Sequence, residues 1–331
     1  MIISRTPVRI SFFGGGTDYP DHYERNGGAV IGVTIDKYVY VTINRLSNFF
    51  DYKIRVGYSK SELVNSADEI AHPSVRECLK YKGIDGNLDI HIVADLPART
   101  GLGSSSAFTV GFLHDLYALE GEIVSKEQLA KDALHVEQKL IKENVGSQDQ
   151  IHASYGGFNL IEFSSGQFKV KPIIVSREKR QILEDSMMVF FTGMTRYANE
   201  ILKEQVERTR ARDNDTFLKE MHSMVYDALN TISSENEASF VKSLGQLLQE
   251  GWRLKKSLSK AVSNQHIDEA YDRAIKAGAF GGKIAGAGGG GFLMLLVDPD
   301  RKASVREALG DLLEVQFKFE DTGSSIIYYK P

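Results

Sequence analysis

A strand-like segment and a helix-like segment lie on either side of a glycine- and serine-rich stretch in the first half of the chain. Residues 88–94, Leu-Asp-Ile-His-Ile-Val-Ala, alternate apolar and polar side chains as a half-buried strand does. Residues 108–119 carry apolar side chains at helical spacing. Residues 95–107 read Asp-Leu-Pro-Ala-Arg-Thr-Gly-Leu-Gly-Ser-Ser-Ser-Ala. The pattern therefore predicts a glycine loop that joins a strand to a helix.

That loop has the chemistry of a phosphate cradle. The first backbone N–H groups of a helix lack intrahelical partners, and the helix dipole places about half a positive charge there. Gly101 and Gly103 have no Cβ, so their backbone can approach a phosphate closely. Ser104, Ser105 and Ser106 offer helix caps and oxygen ligands for Mg²⁺. The alternative is a plain capped helix after a turn, whereas a Walker A loop is excluded because no Gly-Lys-Ser/Thr follows.

The remainder of the first half predicts strands joined by uneven connections. Residues 5–13 read as a strand that a run of three glycines ends. Residues 28–45 predict two antiparallel strands or one long bent strand, and 51–58 predict another. Residues 59–82 have no clean period, which favours a lid or a helical insertion. Within that segment, residues 61–70 are candidates for contacts to a nucleotide base.

A helix is predicted after Ser125, which caps it. Its apolar stripe recurs at intervals of four, three and four residues, at Leu129, Ala133, Val136 and Leu140. Glu137 borders this stripe, and a carboxylate in partly buried space is costly unless a cation or a hydrogen-bond donor meets it. Taken alone, an exposed helix glutamate is the simpler interpretation.

The second half is predicted to be mainly helical, with a second glycine-rich stretch near its end. Residues 177–180 read Arg-Glu-Lys-Arg and are all charged. We place a domain boundary there, which gives domains 1–180 and 181–331. Two apolar stripes predict core helices: Phe217, Met221, Met224 and Ala228, then Phe240, Leu244, Leu247 and Gly251. Residues 281–291 are rich in glycine, which costs chain entropy unless the backbone must approach something closely.

Three motifs resemble those of the GHMP kinase superfamily, named for galacto-, homoserine, mevalonate and phosphomevalonate kinases. They are Pro97-x3-Gly-Leu-Gly-Ser-Ser, Gly146-x-x-Asp-Gln and Lys283-x-x-Gly-Ala-Gly-Gly-Gly-Gly. The resemblance implies an α+β, two-domain fold, with an N-terminal α+β nucleotide-binding domain and a C-terminal ferredoxin-like α/β sandwich. It also implies phosphoryl transfer from ATP, with Mg²⁺, to a hydroxyl in a cleft between the domains.

The same resemblance implies roles for individual residues. Asp149 and Arg9 are expected to be catalytic. Asp149 would accept the hydroxyl proton, and Arg9 would neutralise negative charge on the transferring phosphoryl group. Ser105 and Glu137 are expected to hold Mg²⁺, since Glu137 precedes Asp149 by twelve residues, as the metal-ligand glutamate does in galactokinase-like enzymes. The expected nucleotide-binding residues are Gly101, Leu102, Gly103, Ser104, Ser105 and Ser106. The expected acceptor-binding residues are Gly16, Thr17, Asp18, Arg196, Gly288 and Gly289.

Two segments narrow the resemblance within the superfamily. Residues 5–19, which end in Gly-Gly-Gly-Thr-Asp-Tyr, and residues 191–196 look most like the D-glycero-α-D-manno-heptose 7-phosphate kinases. Those enzymes phosphorylate the anomeric hydroxyl on the route to GDP-heptose for surface polysaccharides. Arg196 is then the first choice for the remote phosphate of the sugar, ahead of Lys283 and Arg25. Another sugar 1-kinase of the fucokinase or galactokinase type, or a sugar sensor without turnover, remains an alternative.

Composition and charge favour small molecules as binding partners. The 331 residues carry 40 basic and 44 acidic side chains, and a net charge of -4 provides no electrostatic footprint for nucleic acid or an anionic membrane. The single cysteine, Cys78, excludes an intrachain disulfide. No signal-peptide layout or membrane-length apolar run is present, so a cytoplasmic location is expected. ATP and a sugar phosphate are the expected partners, and a homo-oligomer is left open.

Overall fold

The larger of two sheets is built mostly from the first half of the chain. The computed structural model describes residues 1–98, 100–194 and 198–331, with the backbone alone described at 198–203. The strands of this sheet are β1 (Ile2–Phe13), β2 (Gly28–Arg45), β3 (Ile54–Gly57), β4 (Ser61–Val64), β5 (Leu88–Ala94), β6 (Phe158–Ser164) and β7 (Gln167–Pro172), with two from the end of the chain. Its main path runs β4, β3, β5, β2, β1, and β6 pairs with both β2 and β7.

The smaller sheet belongs to the second half. Its strands are β8 (Met187–Phe191), β9 (Ala279–Ile284), β10 (Phe292–Val297) and β11 (Leu313–Glu314), in the antiparallel order β11, β8, β10, β9. The side chains of β10 are buried throughout, because helices and the larger unit cover both faces of the sheet. The last strands, β12 (Phe319–Glu320) and β13 (Ser325–Tyr329), return to the larger sheet and pair with β2 and β1.

Helices pack on both sheets. They are α1 (Pro20–Asn26), α2 (Pro73–Lys82), α3 (Ser104–Leu119), α4 (Lys126–His135), α5 (Gln148–Tyr155), α6 (Arg177–Ser186), α7 (Ala198–Arg210), α8 (Asp215–Ser234), α9 (Phe240–Leu258), α10 (Gln265–Lys276) and α11 (Lys302–Ala308). Helix α3 packs against β1 and β2, whereas α9 packs against β9 and β10. None of the helices in the described ranges is both long and apolar enough to cross a bilayer.

The periodic segments fold as predicted. Alternation at 88–94 becomes β5, and the apolar spacing at 108–119 becomes α3, which begins at Ser104. Residues 28–45 form one long strand, the second of the two predicted arrangements, and a register shift against β1 accommodates its bend. Residues 59–82 contain β4 and α2, which is the predicted helical insertion.

The helix predicted beyond Ser125 is wrong in its last turn. The Ser125 hydroxyl caps α4 by accepting a hydrogen bond from the Gln128 N–H at 3.1 Å. After His135 the chain widens into a π-helical turn, Val136–Ile141, so the four-residue spacing no longer keeps side chains on one face. Leu140 is consequently 37% exposed instead of joining the core. π turns of this kind are frequent at functional sites, and this one carries Glu137.

The predicted domain boundary falls inside a helix. Residues 177–180 form the first turn of α6, which Ser176 caps by accepting a hydrogen bond from the Lys179 N–H at 3.1 Å. The charged stretch is therefore an exposed helix start and not a linker. Because β12 and β13 rejoin the first sheet, we propose that the N-terminal unit also includes the end of the chain.

Candidate active site

A buried ion pair joins the first strand to the start of α5. Arg9, on β1, is 4% exposed, and Asp149 lies in the first turn of α5. The Arg9 Nε donates to Asp149 Oδ1 at 2.8 Å, and Nη2 lies 2.6 Å from the same oxygen. Arg9 also donates to the carbonyl of Gly101 at 2.7 Å. One guanidinium therefore links the aspartate to the glycine loop, as required if both serve one reaction.

The Asp149 side chain borders the cleft and remains 26% exposed. Burial raises the pKa of Asp149, the Arg9 guanidinium opposes this shift, and the nearby Asp18 adds to it. Raising the pKa of a carboxylate makes it a stronger proton acceptor. Asp149 is thus held by Arg9 through Oδ1, and the described residues make no hydrogen bond to its Oδ2.

Two glycine loops from opposite halves of the chain meet beside this pair. Gly101 has φ +86°, and a Cβ there would lie 2.4 Å from the carbonyl oxygen of Ala285. In the other loop, a Cβ on Gly286 would lie 2.4 Å from the Gly101 Cα. Gly103, with φ +77°, precedes α3, and a Cβ there would lie 3.2 Å from Asp149 Oδ2. Only glycine permits these approaches, which bring the N-terminus of α3 to the catalytic candidate.

Glu137 is buried beneath the start of α3. It is 1% exposed, and its Oε2 accepts hydrogen bonds from the Ser106 hydroxyl at 2.9 Å and from the Gln150 amide at 2.5 Å. Burial raises the pKa of Glu137 to about 7. Its contact is with Ser106, whereas the neighbouring Ser105 is exposed. Successive helical residues point about 100° apart, so Ser106 and not Ser105 contacts Glu137, and the expected metal roles of Ser105 and Glu137 stay predictions.

The residues around Glu137 fit a cation. Within the described residues its Oε1 is buried and has no hydrogen-bond partner. Since buried acceptors are normally paired, this oxygen suits a bound cation. The described residues contain no group of three or more histidine, cysteine, aspartate or glutamate side chains arranged for a metal. A site with one carboxylate suits Mg²⁺ when nucleotide phosphates and water supply the other oxygens.

Asp18 and Thr17 are more deeply buried than expected for acceptor-binding residues. Asp18 is 1% exposed and accepts hydrogen bonds from the Gly16 N–H at 2.8 Å and from the Gln148 amide at 2.9 Å. The Thr17 hydroxyl donates to the Gly14 and Ala29 carbonyls, both at 2.8 Å. Asp18 still borders the cleft, but Thr17 organises the turn that presents it.

The remaining expected acceptor residues divide between the loop and the undescribed part of the chain. Gly289 donates from its N–H to the Val262 carbonyl at 2.7 Å, and a Cβ on Gly288 would lie 2.5 Å from that carbonyl oxygen, so both pack against a neighbouring turn. Arg196 lies outside the described residues. Arg25, a weaker candidate, donates to the Thr209 carbonyl at 2.9 Å and serves to hold α1 against α7.

The cleft also contains residues that sequence reasoning missed. It has a volume of about 110 Å³ and is lined by Arg9, Asp18 and Asp149 together with Ser11, Gln148, Gln205 and Lys255. Lys255 is 6% exposed on α9. Its position was detectable: it continues the stripe from Phe240 and Leu244 through Gly251, where a charged residue on a buried face is unusual.

This arrangement can transfer a phosphoryl group to a hydroxyl. It combines a positioned base, a guanidinium beside it, a helix N-terminus behind a glycine loop and a buried carboxylate suited to a cation. Each comes from a different element, and the contacts of Arg9 with Asp149 and Gly101 bring them together.

Comparison with known proteins assigns this architecture. The family model for the GHMP kinases N-terminal domain matches residues 56–157, and that for the GHMP kinases C-terminal domain matches residues 233–315. A D-glycero-alpha-D-manno-heptose 7-phosphate kinase of Campylobacter jejuni is 31% identical over 93% of both chains. A bifunctional fucokinase/GDP-fucose pyrophosphorylase of Arabidopsis thaliana is 27% identical over 94% of this chain but 31% of its own length.

A solved structure agrees with the sequence relatives. A D-glycero-D-manno-heptose 1-phosphate kinase from Bacteroides thetaiotaomicron superposes over the full length of both chains, with a TM-score of 0.78 and 25% identity. The predicted two-domain α+β fold and the predicted phosphotransferase class are therefore confirmed. The chain belongs to the GHMP kinase family.

Proposed function

We propose that this protein transfers the γ-phosphoryl group of ATP to the anomeric C1 hydroxyl of D-glycero-α-D-manno-heptose 7-phosphate, forming the 1,7-bisphosphate. This reaction would be a step in the biosynthesis of GDP-heptose for surface polysaccharide. The relative that is 31% identical over 93% of both chains supports the sugar. The observation that carries the chemistry is the contact of Arg9 with both Asp149 and the Gly101 carbonyl, at the junction of the two glycine loops.

In the proposed reaction, Asp149 accepts the proton of the C1 hydroxyl as that oxygen bonds to the γ-phosphorus. The bond from the γ-phosphorus to the bridging oxygen breaks, and ADP leaves with that electron pair. Arg9 holds Asp149 through Oδ1 and keeps one oxygen exposed for the hydroxyl. The same guanidinium offsets negative charge on the transferring group, which is the main way that enzymes accelerate phosphoryl transfer.

The nucleotide phosphates are proposed to lie on residues 101–106, at the N-terminus of α3. Unpaired N–H groups and the helix dipole favour an anion there. Glu137, through its unpartnered Oε1, together with a serine of the same loop, would hold Mg²⁺, which neutralises phosphate charge when bound. Ser105 is exposed toward solvent and Ser106 already contacts Glu137, so separate serine variants are needed to identify the ligand.

An ADP-release assay over a panel of acceptors tests the proposal. The panel contains D-glycero-D-manno-heptose 7-phosphate, the heptose 1-phosphate, the free heptose, L-fucose and D-galactose, with the products identified by mass and by ³¹P NMR. The heptose 1-phosphate is included because the two heptose kinases above are named for different phosphate positions. We expect the highest kcat/KM with the 7-phosphate and a product phosphorylated at C1.

A matched pair of variants ties any activity to the site. Asp149→Asn should lower the rate of ADP release by about 10² to 10⁴, whereas Asp272→Asn, on the exposed face of α10, should not change it. Preference for L-fucose would instead assign the fucokinase type of activity. Tight acceptor binding without any ADP release in a single turnover would indicate a sugar sensor.

A further inference from the structure

Two lysines are buried side by side in the wall of the cleft. Lys255 comes from α9 and Lys283 from β9, and each is 6% exposed. The Lys283 Nζ donates to the Phe12 carbonyl at 2.9 Å, and the Lys255 Nζ donates to the Gly286 carbonyl. Both side chains border the cleft and also a small adjoining cavity behind Gly15. They therefore share one wall of the cleft.

Within the described residues neither ammonium pairs with a carboxylate. Exposed lysines such as Lys131 and Lys256 do form such pairs. The two acids of the cleft are already engaged: Asp149 with Arg9, and Asp18 with Gly16 and Gln148. Burial lowers the pKa of Lys255 to about 8, and the positive charge of Arg9 adds to this shift. Burial likewise lowers the pKa of Lys283, and Lys255 contributes to the shift. Asp18 and Asp149 offset part of this charge. The three described cations that line the cleft, Arg9, Lys255 and Lys283, still outnumber these two carboxylates, so the cleft favours an anionic ligand.

We infer that Lys255 and Lys283 form the subsite for the phosphate monoester of the acceptor. The inference rests on the proposed function and deepens it, because it makes a second phosphate part of what the cleft recognises. Each ammonium has three donors and spends one of them on a carbonyl. The others are available to a phosphate dianion, whose three oxygens match two converging cations.

The position of Lys283 favours the acceptor phosphate over the γ-phosphate of the nucleotide, whereas Lys255 is held at Gly286, where the second glycine loop meets Gly101. The Arg9 N–H donates to the Leu102 carbonyl at 3.0 Å, which places the nucleotide loop level with Arg9 on β1. Lys283 is anchored at Phe12, three residues farther along that strand, or about 10 Å at 3.3 Å per residue. A sugar carrying a hydroxyl at one end and a phosphate at the other spans a gap of this order.

Unsatisfied polar atoms belong to residues that line the same cleft. Ser11 Oγ, Gln148 Oε1 and Gln205 Oε1 are buried in the cleft and have no hydrogen-bond partner in the described part of the chain. Buried polar atoms are normally paired, so these three suit the hydroxyls of a sugar. The cleft then combines a candidate base, hydroxyl-binding atoms and phosphate-binding cations.

The test compares Lys255→Met and Lys283→Met with Lys256→Met, a matched control. Lys256 neighbours Lys255 on α9 but lies on the surface, where it pairs with Asp268 at 3.2 Å. Because a hydrogen bond to a charged group is stronger than a neutral one, each cleft variant should lower kcat/KM for heptose 7-phosphate by about tenfold to a hundredfold. In the same variants, kcat/KM for the free heptose should change by less than about threefold. Lys256→Met should behave as wild type with both sugars. Lys255→Gln repeats the experiment if the methionine variant does not fold.

Titration with inorganic phosphate gives a second readout that does not need turnover. Phosphate should bind wild type and Lys256→Met more tightly than either cleft variant. At pH 8 about half of Lys255 is neutral, so an anion that favours its charged form should cause proton uptake. That uptake, read from calorimetry in two buffers of different ionisation enthalpy, should be smaller in Lys255→Met, where Lys283 is left as the other cleft lysine whose pKa burial lowers. Among the described residues, Arg9, Asp18, Asp149 and Lys283 are the charged groups that act on Lys255, and all remain in this variant.

Several results would overturn the inference while leaving the kinase intact. These are equal losses for phosphorylated and free heptose, weaker MgATP binding with unchanged acceptor affinity, and a wild-type enzyme that does not prefer the phosphorylated sugar. Absence of turnover with every acceptor would refute the proposed function instead. In that case, phosphate binding that depends on both lysines still supports the anion subsite, and binding unaffected by their loss refutes it.

Discussion

The contact between the two glycine loops makes a direct prediction about Gly101→Ala. At this position a new methyl group meets two penalties. The backbone has φ +86°, which a residue with a Cβ adopts only under strain, and the methyl carbon would lie 2.4 Å from the Ala285 oxygen. The Ala285 carbonyl carbon would lie at 2.8 Å and the Gly286 nitrogen at 3.1 Å, so the obstacle is backbone and cannot rotate away.

Gly121→Ala separates the two penalties. Gly121 has φ +76° in the turn after α3, but a Cβ there would meet nothing within 4 Å. Both variants pay the left-handed backbone penalty of about 1–2 kcal/mol. Gly101→Ala alone adds the cost of forcing atoms into a packed contact, typically about 1–3 kcal/mol. We expect destabilisation of about 1–2 kcal/mol for Gly121→Ala and about 2–5 kcal/mol for Gly101→Ala.

Urea unfolding followed by circular dichroism measures the difference, and calorimetric titration with ATP measures the functional consequence. Gly101→Ala should weaken nucleotide binding, because relief of the clash moves the two loops apart. Gly121→Ala should leave nucleotide binding unchanged. Equal destabilisation by the two variants, with equal nucleotide affinity, would refute the claim that the loops meet as closely as described.

Three further predictions test individual side chains. Asp149→Ala should keep ATP binding but lose about 10² to 10⁴ in turnover, the usual contribution of a general base, and unchanged turnover at saturating substrate would remove it from the mechanism. Glu137→Gln should weaken binding of MgATP far more than of metal-free ATP in calorimetric titrations, because the deleted charge faces the ion, whereas equal weakening would indicate a structural glutamate. Burial raises the pKa of Asp115 well above its usual value, so its contribution to stability is complete below the unfolded pKa and is lost as pH rises through the folded one. Asp115→Asn should therefore gain stability relative to wild type at pH 8 more than at pH 4, and urea midpoints that shift equally at both pH values would contradict the assignment.

Periodicity predicted the elements well where local spacing and burial agree. Strand β5 alternates buried and more exposed residues at its start, and helix α3 is buried over most of its length, so both elements are evident from their apolar residues in the sequence. The prediction that Leu140 continues the apolar stripe was wrong, because a π turn changes the number of residues per turn without any change in composition. The charged run at 177–180 was the basis for the predicted domain boundary, but an exposed first turn of a helix is equally polar.

The candidate site was predictable only as far as its motifs extended. Arg9, Asp149 and the glycines of both loops were identified from short patterns, and the structure brings Arg9, Asp149 and Gly101 into contact. Lys255 belongs to no motif, and its one signal in the sequence is a charge on the apolar stripe of α9, whose packing against β9 then brings it to the cleft. The choice between Ser105 and Ser106 depends on which helix face points toward Glu137, and adjacent residues cannot be separated by spacing alone.

The return of β13 to β1 has a consequence for biosynthesis. The Lys330 N–H donates to the Met1 carbonyl at 2.9 Å, so the first and last strands pair edge to edge across nearly the whole sequence. On a ribosome, β1 emerges early but keeps an unpaired edge until residues 325–329 have left the exit tunnel. An open strand edge invites pairing with other chains, and contacts this distant in sequence form slowly. Translation speed and chaperone protection during synthesis should therefore affect the yield of this enzyme more than its final stability would suggest.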